Sequence, residues 1–355
     1  MVIIGGKEIS AEKPCFITFE AGPTHNSLTS AKELARHAAE AGADAIKFQI
    51  FDPDRLVADR KQLFSYEVLK DRETGAVETV TEPLYDILVR RCLSQGEWRE
   101  LKAFCDTLGL SFFATIGFEE DIDLLVQLGC PSIKIASADV DHTPLIRKAA
   151  RTGMCVQLDT GSATIGEVEK AVDVIRAEGN EDIIIHHCPS GYPAHLESIN
   201  LKVIPTLKRM FSYPIAFSDH TPGWDMDIAA IALGAQMVEK TITLDRMTRS
   251  VEHVMSLEPP DMRKFIRAVR YLEKAMGQPR RVLHSAEREK RKAIRRSLFL
   301  RGPARKGQRL GDVDVEFRRP GFGIPPNRFE ELQDACVNND LPAGHMLALS
   351  DLHWS

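Results

Sequence analysis

Short apolar runs recur along the chain, each followed by a polar or glycine-containing turn and then by a segment of helical period. They are FITFEA (16–21), AIKFQ (45–49), SFFAT (111–115), SIKIAS (132–137), CVQLDT (155–160), IIIHH (183–187), PIAFS (214–218) and MVEKT (237–241). Between them lie amphipathic patterns such as SAKELARHAAEAGA, EWRELKAFCDTLG, EEDIDLLVQLG, TPLIRKAARTG and IGEVEKAVDVIRAEG, four of which close on Gly as a helix C-terminus does. Strands alternating with helices imply a parallel sheet, and this many units predict a (β/α)8 TIM barrel. No GxGxxG follows the first strand, which counts against an open dinucleotide-binding sheet. The connection after the second run, residues 50–95, is a long insertion with few strand signals, the kind of connection that serves function or covers a site.

Past the helical pattern DMRKFIRAVRYLEKAMG the composition changes to a basic run, QPRRVLHSAEREKRKAIRRS, and then to short β-like pieces with Pro/Gly turns. The expected division is a barrel domain over 1–284 and a linker with a small β-rich domain over 285–355, too small to bury much core alone. The basic run lacks interleaved aromatics and reads as a solvated linker rather than a nucleic-acid surface. At 355 residues, with 43% hydrophobic and 27% charged residues, the composition is that of a well-cored globular protein. A net charge of −5 argues against nucleic acid as a partner. No window approaches a membrane span, and the N-terminus lacks a charged segment leading into a long apolar core. Neither a membrane nor export is expected, and the cytoplasm is the expected location. The seven cysteines form no CxxC pair and read as reduced core residues.

In a parallel barrel the active site forms at the C-terminal ends of the strands. Those ends are rich in polar groups here: Glu20, then Lys47 and Gln49, Thr115, Lys134 and Ser137, Asp159 and Thr160, His187 and Ser190, Ser218 and His220, and Glu239. Singly, a strand-end lysine can snorkel to water and a strand-end serine can cap a helix. Together they are harder to place, because burying charge near a barrel axis costs several kcal/mol unless it is paired or meets a charged ligand. Two lysines with hydroxyl donors suit a phosphate and a carboxylate, and Glu20 and Glu239 suit balancing charge or acid–base work. Strand-end lysines also fit Schiff-base aldol chemistry, and spacing does not separate the two. An isolated His220 does not by itself establish a metal.

The segments FEAGPTHNSLTSAKELARHAAEAGADAIKFQIF, SIKIASADV, HHCPSGYPAHLESINLKVI, FSDHTPGWDMDIAAIALGA and EHVMSLEP resemble the N-acetylneuraminate (sialic acid) synthase family. The closing RRSLFLRGPARKGQRLGDVDVEFRRPGFGIPP is similar to the antifreeze-protein-like (SAF) domain that ends those enzymes. The resemblance implies a barrel plus that domain in a domain-swapped homodimer. It also implies condensation of phosphoenolpyruvate with an acetamido hexose such as N-acetylmannosamine, giving a nine-carbon 3-deoxy-2-ulosonic acid and phosphate. By the same resemblance Lys47, Thr115, Lys134, Ser137, Ser190 and Ser218 hold phosphoenolpyruvate. Glu20 stands near the reacting carbons, Tyr192 and Glu239 on the sugar side, and Arg319 at the acceptor's N-acyl group, while Glu252 replaces a common aspartate. Glu20, Lys47, Lys134 and Glu239 are the catalytic candidates.

The family holds a divalent cation with two histidines, one in SDHT and one in EKHFTLD. This chain keeps the first as His220 and has Thr241 in place of the second. A hydroxyl is a poor neutral ligand beside imidazole. Three outcomes are open. A Mg²⁺ or Mn²⁺ ion is held by His220, waters and a carboxylate, with Glu239 a candidate; another histidine (His25, His186 or His253) takes the place; or the site lacks metal and is altered or inactive. Strand alternation is expected to disfavour His186, because His187 occupies the family position. Asp159 beside a phosphate must be protonated, bound to a cation or turned away. GPTHNS, LDTGS and Pro189 are further departures from the family pattern. The alternatives to a synthase are a Schiff-base aldolase and a sugar-binding barrel that has lost turnover.

Overall fold

The computed structural model describes residues 1–354, and the chain divides into two compact units, Met1–Gly277 and Gln278–Ser355. The first is a closed barrel of eight parallel strands: β1 (Phe16–Glu20), β2 (Ala45–Ile50), β3 (Ser111–Ile116), β4 (Ser132–Ile135), β5 (Cys155–Asp159), β6 (Ile183–His187), β7 (Ile215–Asp219) and β8 (Met237–Thr241). Each strand pairs with the next, and β8 closes on β1 with Thr241 opposite Glu20. The apolar runs thus locate every strand; FITFEA and CVQLDT overrun theirs by one residue and SIKIAS by two, its strand ending at Ile135 before a short 3-10 helix at Ser137–Asp139.

Strand alternation sorts the side chains into two layers. Outward residues such as Ile17, Phe48, Val156, Ile185 and Val238 join the large core under the helices. Inward residues at the strand starts, Phe16, Ala45, Phe113, Cys155, Ile184, Ala216 and Met237, pack with Val2, Ile4 and Ile9. Those last three come from an antiparallel N-terminal hairpin, Val2–Ile4 with Lys7–Ile9, so one end of the barrel is plugged with apolar side chains. The helices begin and end where local chemistry dictates. Leu28–Ala41 starts on a Ser27/Ser30 capping box, buries Leu34, Ala35 and Ala38, and stops at Gly42, whose φ of 94° suits a residue without Cβ. Capping boxes at Ser94/Glu97 and Thr164/Glu167 start two others in the same way.

The insertion differs from expectation, because residues 50–95 contain an antiparallel hairpin, Leu63–Leu69 with Val77–Pro83. Its strands carry many charged or polar residues on an exposed face, which hides the apolar signal. Tyr66 and Val68 anchor it on Ile87 and Val251.

The second unit begins at Gln278, seven residues before the division expected from composition. The basic run forms a helix, Ser285–Ile294, that buries no residue. Its core gathers Leu298, Leu300, Leu310, Val337 and Leu347 around short antiparallel pairs, Ser297–Leu300 with Val315–Arg318 and Cys336–Val337 with Leu352–His353. Among the described residues no helix is long and apolar enough to cross a membrane, and all seven cysteines are free.

Candidate active site

At the end of the barrel opposite the plug, the inward positions become ionic. Glu20, Lys47, Thr115, Ser137, Asp159, Tyr192, His220, Glu239 and Glu252, from all eight strands or the loops that follow them, line one cavity of about 80 Å³. Lys47 is ion-paired with Glu20, lies 3.1 Å from Glu239 Oε1, and donates to Thr115 Oγ1 at 3.1 Å. One layer deeper, Lys134 donates to the same Glu239 oxygen at 2.7 Å and to Ser218 Oγ at 3.0 Å, and stands 3.1 Å from Asp159 Oδ1. One carboxylate therefore bridges the two ammonium groups. Asp159, which would repel a phosphate if left free, is bound to a cation.

The electrostatics follow from this shared burial. Burial alone would raise the Glu239 carboxyl, but the Lys134 and Lys47 ammoniums outweigh it and hold the group below the usual carboxylate range. For Glu20 burial prevails over Lys47, and its affinity for a proton is raised. Burial works against the Lys47 ammonium, yet Glu20 and Glu239 more than compensate and keep it charged well above the ordinary lysine range. Three carboxyl groups thus face two amines. The site has no surplus positive charge to offer an anion carrying two or more negative charges.

Beneath the cavity, a hydrogen-bonded chain fixes where each proton sits. Ser132 Oγ donates to the Cys155 carbonyl at 2.8 Å, and Gln157 Nε2 donates to Ser132 Oγ at 2.8 Å. Gln157 Oε1 is left to accept from His186 Nε2 at 2.9 Å, so His186 Nδ1 is the acceptor and takes the Ser218 proton, also at 2.9 Å. Burial, with Lys134 adding to it, pushes His186 down to about 3, which keeps the ring neutral. The single Ser218 proton is directed downward, and its oxygen receives Lys134. Ser218, 1% exposed, thereby orients the Lys134 ammonium.

His186 is therefore the inward member of its pair, contrary to expectation. Counting by two from Ile184 places His186 and Cys188 inside, while His187 turns outward to the Ile199 carbonyl.

At the rim, Ser190 is exposed, with its hydroxyl 3.4 Å from that of Ser162. Both Ser137 and Ser190 crowd Gly161: a Cβ there would collide with the Cys188 carbonyl and come within 3.2 Å of Ser190 Oγ and 3.3 Å of Ser137 Oγ. Three hydroxyls so gather on a glycine turn. Ser162 was not singled out from the sequence, although its place in DTGS beside a strand end is the signal. Gly22 has a similar role, since its N–H donates to Glu20 and a side chain there would strike both Glu20 and Gln49.

The donors for a cation are few. His220 Nδ1 lies 3.1 Å from the Pro189 carbonyl, which leaves Nε2 for coordination, and its ring packs against Tyr192 at 4.6 Å. Glu239 Oε2 is buried without a hydrogen-bond partner. Thr241 shares the inward phase of Glu239 and is 1% exposed. None of the three other histidines lines this cavity. His25 packs edge-on against Phe48 and Trp98, His186 uses both nitrogens, and His253 is bonded to Thr243. Among the described residues no three His, Cys, Asp or Glu side chains form a ready metal cluster. This set fits an oxygen-preferring ion that keeps several water or substrate ligands, and does not fit a closed tetrahedral site.

A second cavity, of about 310 Å³, shares Gln49, Thr115, Tyr192 and Glu252 with the first and is walled mainly by the insertion. Glu252 sits on a turn with φ of 67°, and burial raises its carboxyl to about 8. Arg319, exposed and followed by Pro320, belongs to the second unit.

The model of the NeuB family matches residues 34–281, well over half of the chain. The chain belongs to the NeuB family. Among curated relatives of this NeuB-family chain, the N,N'-diacetyllegionaminic acid synthase of Legionella pneumophila is 32% identical over 97% of this chain and 96% of its own length. The human N-acetylneuraminate-9-phosphate synthase is 30% identical over 79% of this chain and 77% of its own. Among solved structures, an N-acetylneuraminic acid synthetase from Leptospira borgpetersenii is 29% identical, covers 78% of this chain and 90% of that one, and has a TM-score of 0.68. Its likeness agrees with the (β/α)8 barrel described above.

Proposed function

We propose that this NeuB-family protein condenses phosphoenolpyruvate with an acetamido hexose, forming a nine-carbon 3-deoxy-2-ulosonic acid and releasing phosphate. The observation that carries this reading is the pair of ammonium groups, Lys47 and Lys134, bridged by Glu239 at the mouth of the barrel. A Schiff-base lysine must be available as a neutral amine. Lys47 has the opposite environment, since its carboxylate partners stabilise the cation. Fixed ammoniums instead suit an anionic ester that must be held without moving.

In the proposed mechanism, Lys47 and Lys134 hold the ester's carboxylate and phosphate, assisted by the Thr115, Ser137 and Ser190 hydroxyls. The enol π pair at C3 forms the new bond to the acceptor's aldehyde carbon, and the aldehyde oxygen becomes a hydroxyl. Water adds at C2, the C2–O bond to phosphate breaks, and C2 becomes a ketone. Glu20, whose proton affinity is raised and whose carboxylate is fixed by the Gly22 N–H, exchanges the protons that move between water and the acceptor oxygen. Tyr192 and Glu252 orient the acceptor.

A divalent cation, Mg²⁺ or Mn²⁺, would be held by His220 Nε2 and Glu239 Oε2, with Thr241 alongside. When bound it supplies the positive charge that three carboxyls facing two amines lack. The Gln278–Ser355 unit is read as the antifreeze-like domain, with Arg319 meeting the acceptor's N-acyl group in a domain-swapped homodimer working in the cytoplasm.

A phosphate-release assay with phosphoenolpyruvate, a panel of acetamido hexoses, and metal added or chelated tests the reading. Metal-dependent release with at least one acceptor is the expected result. Release by none of the sugars under any metal, or borohydride trapping of pyruvate on a lysine, would overturn it.

A further inference from the structure

The insertion brings one unpaired cation into the larger cavity. Arg91 is 7% exposed, and its guanidinium carbon stands 5.7 Å from the Phe51 ring centroid. Among the described residues no carboxylate forms an ion pair with it, and its Nε has no hydrogen-bond partner. Glu252 on the same cavity wall and Glu20 act on it from farther away, Glu252 with its carboxyl raised to about 8 by burial. The surrounding wall is largely apolar, with Phe64, Leu84, Leu88 and Val251 among its members, and its carboxyl groups are Asp139 and Glu252. Leaving a guanidinium unpaired among such groups costs several kcal/mol, and an arriving anion removes that cost through short, paired N–H···O⁻ bonds. The carboxylates at the barrel mouth do not pair with Arg91, Glu20, Glu239 and Asp159 being already engaged by the lysines. The two cavities share lining residues, so one acceptor molecule can present its aldehyde to the small one and its far end to the large one.

We propose that the acceptor carries an anionic group, a phosphate ester or a carboxylate, at the end remote from its aldehyde, and that Arg91 reads it. This rests on the condensation reading for the identity of the ligand, and it names the acceptor's chemical class. Arg91 acts as a specificity-determining residue that touches the acceptor's far end while the bond-making carbons lie over the barrel mouth. A neutral sugar would leave the guanidinium unpaired, and this is how the apolar wall turns charge into selectivity.

The test uses unreactive alditols, so that binding is measured apart from turnover. N-acetylmannosaminitol, its 6-phosphate and the matching 6-carboxylate are titrated calorimetrically into the full-length protein saturated with phosphoenolpyruvate and Mn²⁺. At least one anionic alditol is expected to bind roughly 10²-fold more tightly than the neutral one. Whichever of the two shows the preference identifies the group. Arg91→Met should abolish the preference, and Arg91→Lys, which keeps the charge but not the planar fork, should restore part of it. Equal or undetectable binding of all three alditols, or an undiminished preference in Arg91→Met, overturns the proposal. Phosphate release with the corresponding aldoses is assayed separately. Its absence would defeat the condensation reading while leaving the measured anion preference intact.

Discussion

Glu239 and Lys240 are neighbours on β8 and point to opposite sides of the barrel wall, each into a buried ionic cluster. Outside the wall, Lys240 is bonded to Asp219 and to the Thr221 carbonyl, while Asp219 also accepts from the Thr221 N–H and hydroxyl. A second carboxyl there, Asp227, is 3.8 Å from Lys240, and burial together with Asp219 raises its proton affinity well above the ordinary aspartate range. With the Asp227 carboxyl held neutral, one ammonium meets one carboxylate, although both Asp227 oxygens are buried without a hydrogen-bond partner. Inside the wall the cluster is unbalanced, with an orphaned oxygen on Glu239 and carboxyl groups in excess of amines. The depth of burial is the same on both sides, so burial does not mark function. Orphaned carboxyl oxygens occur on both sides too; what distinguishes the inner cluster is that it lines a cavity a ligand can enter.

The most damaging way to probe this difference is Lys134→Met. It removes a donor to the anion and also frees Glu239, Asp159 and Ser218 from the group that organises them. The expected loss in kcat/KM is about 10⁴-fold, somewhat above the effect of one isolated donor because its partners also lose their places. Phosphoenolpyruvate affinity should fall with it. An unchanged affinity in calorimetry, with only acceptor binding weakened, would break the comparison. Lys240→Met is the matching change outside the wall. Leaving Asp219 buried without its cation should cost about 4 kcal/mol in urea unfolding, and Asp219→Asn in the same chain should recover part of it. In the folded fraction, phosphoenolpyruvate affinity should stay within a few-fold of the parent. A loss comparable with that of Lys134→Met would show that the outer cluster is part of the site.

Much of this was legible in the primary structure because the barrel imposes a period. Eight apolar runs locate eight strands, and the polar residues at their ends converge because a parallel barrel puts all those ends on one face. Alternation then decides which of two adjacent residues faces the axis, and it goes wrong when the phase is taken from the wrong neighbour. His186 and His187 show this, since the inward phase is set by Ile184 in the plug layer. The depth of Lys134 and Ser218 depends on strand stagger, which no local pattern records. The hairpin at 63–83 was hidden because an edge ribbon alternates charged and apolar residues over a short span. Arg91 was missed for a related reason. It falls on the apolar spacing of Ile87 and Leu88, but only the tertiary placement of the insertion makes that face a cavity wall.

Histidines offer a milder version of the same contrast. His186 inside the barrel has both nitrogens satisfied, whereas His25, 2% exposed beside Phe48 and Trp98, has neither. Burial, with Arg91 adding to it, pushes His25 down to about 4. The folded value lies below the unfolded one near 6.5, so this stabilisation is complete above about pH 6.5 and is lost as pH falls toward 4. Between pH 7 and 4 the loss from this residue is about 3 kcal/mol. His25→Phe should flatten the slope of urea stability against pH by that amount. An identical slope would mean that the ring finds a proton-accepting partner when charged.

The smallest expected effect concerns Thr241, which shares the inward phase of Glu239 but offers only a hydroxyl. In Thr241→His a second imidazole joins His220 at the open side of the cluster. Imidazole is the better ligand for Mn²⁺, so the dissociation constant should tighten about tenfold, read directly by calorimetry or by the loss of free-ion paramagnetic signal. The gain should fade as pH drops below about 6.5, because a protonated ring cannot coordinate. Parent and variant binding Mn²⁺ equally at neutral pH would mean that position 241 does not face the ion. The orphaned Glu239 oxygen would then need another partner, and cation binding would no longer set the inner cluster apart from the one behind it.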